Sequence, residues 1–341
     1  MAGVFKKGHS KQKGAAMIPR HNQSANPEFF LLGFQLQRTS RIIFFAGVFI
    51  VFMMTITGNL LMIMLVSTTQ YLRSPMYVLL SHLSFCDIIL SMTITPNLLY
   101  VTLQDGSPMT VSGCITQLYF FSLSSATECL LLTMMSYDRY VAVCKPLHYV
   151  TIMNFPFCLG LVVLSWTLGL CLSMMLNICL CHLQFCISNT IDHFFCDYAP
   201  FLQVSCSDTT IVQTMIFIIS APEIVIETMF IISTYVCIFL AIHRISSTTG
   251  RQKAFSTCSS HLTVVCTYYG TLAAIYVFPS GKQSFNMNKI VSLVYTVVTP
   301  LLNPLIYSLR NQEIKAALKS IWRKKKCRSL IYFFFLKIRD F

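Results

Sequence analysis

Charged residues are scarce in this chain: they make up 11% of its 341 residues, against about 25% in an ordinary soluble domain. A soluble fold of this length needs far more charge to cover its surface, so lipid is the natural solvent. The sequence also lacks a glycine-rich phosphate loop, a His/Cys metal spacing and a nucleophile elbow, so nothing suggests an enzyme. No Lys or Arg occurs between Pro146 and His243. The formal net charge of +13 raises nucleic acid as a partner. That is rejected, because the basic residues cluster at helix ends and tails, where anionic lipid attracts them.

Hydrophobic residues make up 55% of the chain. Seven apolar stretches are long enough to span a bilayer, which takes about 20 residues. They run near Ile42 to Val66, Met76 to Val101, Ile115 to Asp138, Phe157 to Ile178, Ile211 to His243, Cys258 to Phe278 and Ile290 to Leu309. Backbone groups in lipid must be paired within each segment, so these are helices. The expected fold is an all-α membrane protein, a seven-helix bundle. A short amphipathic eighth helix follows from Asn311 to Trp322, lying on the inner membrane face.

Orientation follows from the loops. With the N-terminus outside, Arg73, Arg139, Lys145, Arg244, Arg251, Lys253 and the basic tail from Arg310 face inward, while the outer side between helices holds only Lys282 and Lys289. The organisation is then an extracellular tail over 1–41, a receptor-like bundle over 42–309 and a cytoplasmic tail over 310–341. The N-terminal tail opposes this rule with Lys6, Lys7, Lys11, Lys13 and Arg20; a start at Met17 removes four of those charges. The sequon Asn22-Gln23-Ser24 fits a glycosylated exterior tail.

Fifteen cysteines look at first like a disulfide scaffold. Most lie in apolar runs, where a free Cys behaves as a small hydrophobe. Cys114 opens the third helix, and Cys186, Cys196 and Cys206 lie in the polar stretch after the fourth. These four face an oxidising compartment and allow three pairings.

Acids within the bilayer mark functional sites by default. Asp87 and Glu128 lie at similar depth on neighbouring helices, about 16–18 Å above the inner surface. They can share a cation, sodium being the candidate, or a proton. Asn59 and Asn303 can add amide oxygens. The plainer alternative is a protonated, hydrogen-bonded cluster without an ion. Glu223 and Glu227 share one face of the fifth helix, with Glu223 about 18 Å below its outer end. Two ionised carboxylates there would repel each other and lose hydration, so at least one is expected to hold its proton. Glu223 can face a ligand, accepting from an alcohol or pairing with an amine, whereas Glu227 is expected to join the cluster around Glu128. Alternatively both acids bond neighbouring helices and touch no ligand. Asp138 beside Arg139 suggests a local ion pair that can change partners when helices move; the plain reading is an interfacial Arg that snorkels.

Two motifs, Asp138-Arg139-Tyr140 and Asn303-Pro304-Leu305-Ile306-Tyr307, resemble the signatures of rhodopsin-like G-protein-coupled receptors. A more specific set resembles odorant receptors: Gly58-Asn59, LRSPMY from Leu72, MSYDRYVAVCKPLHY from Met135, KAFSTCSSHLTVV from Lys253 and PLLNPLIYSLRN from Pro300. The sixth helix carries Tyr268-Tyr269-Gly270 and no Trp-x-Pro, as in that family. The run of motifs is closer to the tetrapod-type class. Departures are Arg73 in place of His and Thr234-Tyr235 in place of Ser-Tyr.

This resemblance implies a plasma-membrane receptor that binds a small odorant and activates a heterotrimeric G protein of the stimulatory kind to raise cyclic AMP. It implies disulfides Cys114–Cys196 and Cys186–Cys206, and a switch formed by Asp138, Arg139, Tyr140, Tyr235, Asn303, Pro304 and Tyr307. An odorant site is expected in the outer half of the bundle, from Phe121, Ser122, Ser125, Ala126, Glu223, Tyr269, Leu272 and Tyr276, with about half of them touching ligand. The competing functions are a transporter or channel that uses the intramembrane acids, and a family member that does not signal. The expected partners are odorant, G protein and lipid bilayer, without nucleic acid and with no cofactor other than sodium.

Overall fold

The computed structural model describes residues 28–185, 189–277, 285–310 and 312–323. Helices α1 (Arg38–Thr68), α2 (Pro75–Gln104), α3 (Val111–Cys144), α4 (Phe155–Cys181), α5 (Thr210–His243) and α6 (Thr248–Val277) are followed by α7. The last is wound in three pieces: Phe285–Leu293, a π-helical turn Val294–Val298, and Thr299–Arg310. Helix α8 (Gln312–Arg323) completes the order. Asn22, Cys186, Lys282, Asn311 and the apolar run from Ile331 lie outside the described residues.

Six of the seven spans are long and apolar enough to cross a membrane. The sixth falls short because Ser260, His261, Thr263, Thr267, Tyr268 and Tyr269 interrupt its apolar stretch. It begins at Thr248 rather than Cys258: apolarity marks only the lipid-buried part of a helix, and here the helix continues into the cytoplasmic layer. The bundle is inside-out relative to a soluble protein. Ile43, Phe49 and Ile50 of α1 and Ile226 and Met229 of α5 are exposed, where hydrocarbon receives them. Buried Asn59, Ser84, Asp87, Ser124, Thr127 and Glu128 face the middle.

Small residues and caps set the packing. A side chain at Gly169 of α4 would collide with Thr127 Oγ1 of α3, so glycine allows the two backbones to approach. Thr110 Oγ1 accepts from Gly113 N at 3.1 Å to cap α3, and Asn154 Oδ1 accepts from Phe157 N at 2.9 Å to cap α4. The π turn of α7 closes from Thr299 N to the Val294 carbonyl. It stands immediately before Pro300, whose ring cannot fit against the carbonyl four residues back in regular α geometry. The amphipathic α8 buries Ile314, Ala317 and Leu318, and Tyr77 of α2 donates to Glu313 Oε2 at 2.7 Å.

The outer end holds a feature that the alternation pattern did not announce. Strands β1 (Glu28–Leu31), β2 (Ser107–Thr110) and β3 (Asn189–Ile191) form a sheet in the order β2-β1-β3. The pair β1–β2 is antiparallel with Glu28 opposite Thr110, and β1–β3 is parallel with Phe29 opposite Asn189. Thus a piece of the expected N-terminal tail is clamped between two loops. Phe29 and Leu31 are buried with Leu118, Leu180 and Phe201. The turn into β2 uses Asp105 at φ 60° and Gly106 at φ 112°. A side chain at Gly106 would meet the Phe30 ring at 2.5 Å, so this position requires glycine.

Candidate functional site

The outer loop enters the bundle from above. Cys196 is joined to Cys114 at the head of α3, with Cα atoms 5.3 Å apart. Cys206 is also disulfide-bonded; Cys186, its expected partner, lies outside the described residues. Next to Cys196, Phe194 and Phe195 are fully buried against Leu90, Ile94 and Leu98 of α2 and Val297 of α7. The Phe195 ring stands 5.6 Å from Phe121 of α3, so Phe195 caps the expected odorant region. His193 is buried, with its ring against the Phe195 backbone and the Phe194 and Phe195 rings. Burial, and then the Lys289 charge, hold its pKa down at about 3, so the ring is neutral.

Lys289 of α7 is 4% exposed although charged. Its Nζ donates to Asp192 Oδ1 at 2.5 Å and to the Gly33 carbonyl at 2.9 Å. One ammonium therefore ties α7, the outer loop and the segment after β1 together. This residue was counted in the sequence only for orientation; the pairing partner lies 97 positions away.

Below the loop, hydroxyls converge from three helices. Ser125 of α3 is 2.7 Å from the Tyr295 hydroxyl of α7 and 3.3 Å from that of Tyr268 of α6. Cys129 Sγ lies 3.1 Å from Tyr268 Oη. Phe121 packs edge-on to Tyr295 at 6.1 Å. Ser122 is turned to its own helix, donating to the carbonyls of Leu118 and Tyr119. Ala126 is half-buried, and Leu272 packs against the central core. The Tyr276 side chain lies outside the described residues. Tyr268 and Tyr295, which complete the hydroxyl cluster, were missed; Tyr268 stood in the Tyr-Tyr-Gly motif, but only Tyr269 was selected by face.

On α5, Glu227 is 5% exposed. Its Oε2 accepts from the Tyr269 hydroxyl at 3.3 Å, whereas Oε1 has no hydrogen-bond partner. Glu223, one turn outward and following Pro222, also holds a buried Oε1 without a partner. Glu227 was expected to join the Glu128 cluster; its partners are instead Tyr269 of α6 and Cys129 of α3, the residue next to Glu128.

Deeper in the bundle, Asn303 Nδ2 donates to both oxygens of Asp87 at 3.1 Å and to Glu128 Oε1 at 3.4 Å. Asn303 thus presents its amide nitrogen to the acids, not the oxygen that was expected. Asn59 has a different role. Its Nδ2 donates to the carbonyls of Thr55 and Pro300, tying α1 to α7, and its Oδ1 is buried without a partner. Among the described residues no three His, Cys, Asp or Glu converge as a metal centre.

At the inner end, Arg139 is ion-paired with Asp138, with Nε at 2.9 Å from Oδ2. The other Asp138 oxygen accepts from Tyr149 Oη at 2.8 Å. Tyr140, beside them, is half-buried, with its ring 6.3 Å from Tyr137. His261 of α6 was missed, although it stands in the KAFSTCSSHLTVV run. Its Nε2 lies 3.1 Å from the Leu132 carbonyl; a carbonyl only accepts, so this nitrogen carries the proton. Nδ1 then accepts from Tyr235 Oη at 2.7 Å. One neutral imidazole thereby joins α3, α5 and α6. Tyr307 of α7 is fully buried with its hydroxyl unpartnered, one turn beyond Asn303-Pro304. Away from all this, an apolar groove of 220 Å³ between α1 and α7 is lined by Phe44, Gly47, Val48, Val51, Leu293, Val297 and Val298.

Comparison with known proteins gives one consistent match. The family model described as olfactory receptor covers residues 48–325. Human olfactory receptor 11L1 is 45% identical over 304 residues, covering 89% of this chain and 94% of that protein. Rat olfactory receptor 1468 is 42% identical over 309 residues, with 91% and 98% covered. Mouse olfactory receptor 5P80 is 45% identical over 301 residues, with 88% and 97% covered.

Proposed function

The chain belongs to the olfactory receptor family of odorant-sensing, multi-pass G-protein-coupled receptors, and from that premise we propose that it binds a small, mostly apolar odorant between α3, α5 and α6 and raises cyclic AMP through a stimulatory G protein. Family membership replaces the transporter alternative. The observation that carries the binding reading is the convergence of Ser125, Tyr268 and Tyr295 on one side and Tyr269 with Glu227 on the other. These polar groups come from α3, α5, α6 and α7 and converge in the middle of the bundle, where a small molecule with one polar group can be recognised. Phe195 closes this region from above.

The inner end supports the signalling half. The Arg139–Asp138 pair lies within α3, and the Tyr235–His261–Leu132 bridge holds α3, α5 and α6 together around it. Ligand bound between the outer halves of the same helices shifts the balance between this arrangement and one in which Arg139 meets the G protein. Asp87 and Glu128 fit a sodium ion or a shared proton by their donor chemistry: two buried carboxylates beside one another need a positive charge, and Asn303 supplies only neutral N–H groups.

A cyclic AMP reporter cell challenged with a chemically varied odorant panel tests the proposal. Concentration-dependent responses are expected, weakened by alanine at Ser125, Tyr269 or Tyr276. Unchanged responses in all three variants would displace the pocket. Absence of any odorant response from receptor shown to reach the cell surface would overturn the signalling reading.

A further inference from the structure

The two acids of α5 differ from every other buried acid in the bundle. Asp87 and Glu128 receive N–H groups from Asn303, and Asp138 is paired with Arg139 and Tyr149. Glu223 and Glu227 each keep a buried oxygen that receives nothing. Glu227 takes the Tyr269 hydroxyl on Oε2 and a weak donor, the Cys129 thiol, beside it. Among the described residues the ion pairs are Arg41–Asp105, Arg139–Asp138 and Lys289–Asp192, so no protein cation serves this site. None lies nearby in sequence either, since Lys and Arg are absent from Pro146 to His243. Buried acceptors without donors are costly, and the cost is relieved by a donor that arrives with the ligand.

We propose that Glu223 and Glu227 form the recognition site for a small protonated aliphatic amine. Its ammonium sits between the two carboxylates, and its hydrocarbon body lies toward Ala126, Cys129 and Leu272. This inference rests on the binding reading above and adds to it the chemical class of the ligand. The choice of class follows from donor counts. Residues four apart on a helix have Cβ atoms about 5–6 Å apart, so one ammonium with three N–H donors reaches both orphan oxygens. With one carboxyl protonated and the other ionised, a single positive charge leaves the site neutral. An alcohol brings one O–H and no charge. An aldehyde, ketone or ester brings an acceptor to a site already in excess of acceptors, and a carboxylate brings repulsion. The Tyr269 hydroxyl fixes Glu227 from α6, so the amine also bridges α5 to α6.

The test uses the full-length receptor in phosphatidylcholine nanodiscs at pH 7, where an alkylamine is protonated. Its thermal stability is read against increasing hexylamine, hexanol, hexanal and hexanoate. Hexylamine is expected to stabilise the receptor at concentrations about ten- to a hundredfold below hexanol, the ratio that a charge-assisted hydrogen bond supplies. Hexanal should act more weakly than hexanol, and hexanoate not at all. Glu223→Gln should bring the hexylamine/hexanol ratio towards one, and Glu223→Asp should preserve a ratio well above one. Equal potency of hexylamine and hexanol on the native chain overturns the proposal. So does an undiminished ratio in the double variant Glu223→Gln/Glu227→Gln. Cyclic AMP responses run in parallel separate the two readings. Amine-selective stabilisation without any cyclic AMP response leaves this site standing and removes the signalling claim. Responses to alcohols and aldehydes without amine preference do the reverse.

Discussion

Replacing either partner of the outer latch should have unequal consequences, because the two charges are unequally buried. The Lys289 side chain is 5% exposed and that of Asp192 is 43% exposed. Lys289→Met removes two charge-assisted hydrogen bonds; Asp192 can be hydrated from the outside, whereas the buried Gly33 carbonyl loses its donor, so the loss is about 2–3 kcal/mol. Asp192→Ala leaves the ammonium buried against the Gly33 carbonyl alone, beside the neutral His193 ring, and a stranded buried charge costs about 3–5 kcal/mol. The double variant strands no charge, loses the same donor to Gly33, and should behave like Lys289→Met. Thermal midpoints of purified receptor, with surface abundance as a second readout, should therefore rank native, then Lys289→Met together with the double variant, then Asp192→Ala. A Lys289→Met protein as damaged as Asp192→Ala would refute this reasoning, since burial would then not decide the outcome.

His193 gives a pH prediction. Its pKa of about 3 in the folded chain lies below the unfolded value of about 6.5, so the unfolded state binds the extra proton between those limits. Stability from this residue is complete above pH 6.5 and declines as pH falls towards 3, by up to about 1.4 kcal/mol per pH unit; unfolding of native and His193→Phe receptor at pH 7.5 and 5 should show the smaller decline in the variant. At the inner end, Tyr149→Phe removes one of the bonds that hold Asp138 and should raise ligand-free cyclic AMP about fivefold, as about 1 kcal/mol implies. Arg139→Ala should abolish the response at measurable surface abundance; a full response in Arg139→Ala would refute its role.

The spans were legible because lipid forces a single solution for the backbone. A long apolar run must be a helix, and its length is set by the bilayer. The same logic explains the miss at the inner end of α6, where Arg251 and Lys253 sit outside the apolar layer yet stay helical. The sheet was not legible. EFFL, SPMT and NTI are too short to show alternation, and their pairing depends on positions up to 160 residues apart. Intramembrane acids are legible through their cost, whereas His261 sits near the inner end of its apolar run, where a His also reads as an interfacial residue. Lys289 could be placed outside by its charge; its burial could not be foreseen, because the partners that permit it, Asp192 and Gly33, come from other segments.

Strand β1 is the first element of the described chain to leave the ribosome, yet it is finished only when two later loops have followed it. Its two neighbours arrive only after Ser107 and after Asn189 have emerged, and Lys289 follows a further hundred residues later. During synthesis at about 5–20 residues per second, the Phe29 and Leu31 side chains must wait roughly eight to thirty seconds, on the wet side of the membrane, before Asn189–Ile191 can pair with them. Formation of the outer sheet is thus a test of completeness. A chain truncated before Asn189, or with a helix inserted in the wrong direction, leaves Phe29 and Leu31 without the partners that bury them, in the lumen of the secretory pathway. Those are the side chains that quality-control chaperones bind, so retention of poorly assembled chains can begin at residues that play no part in sensing.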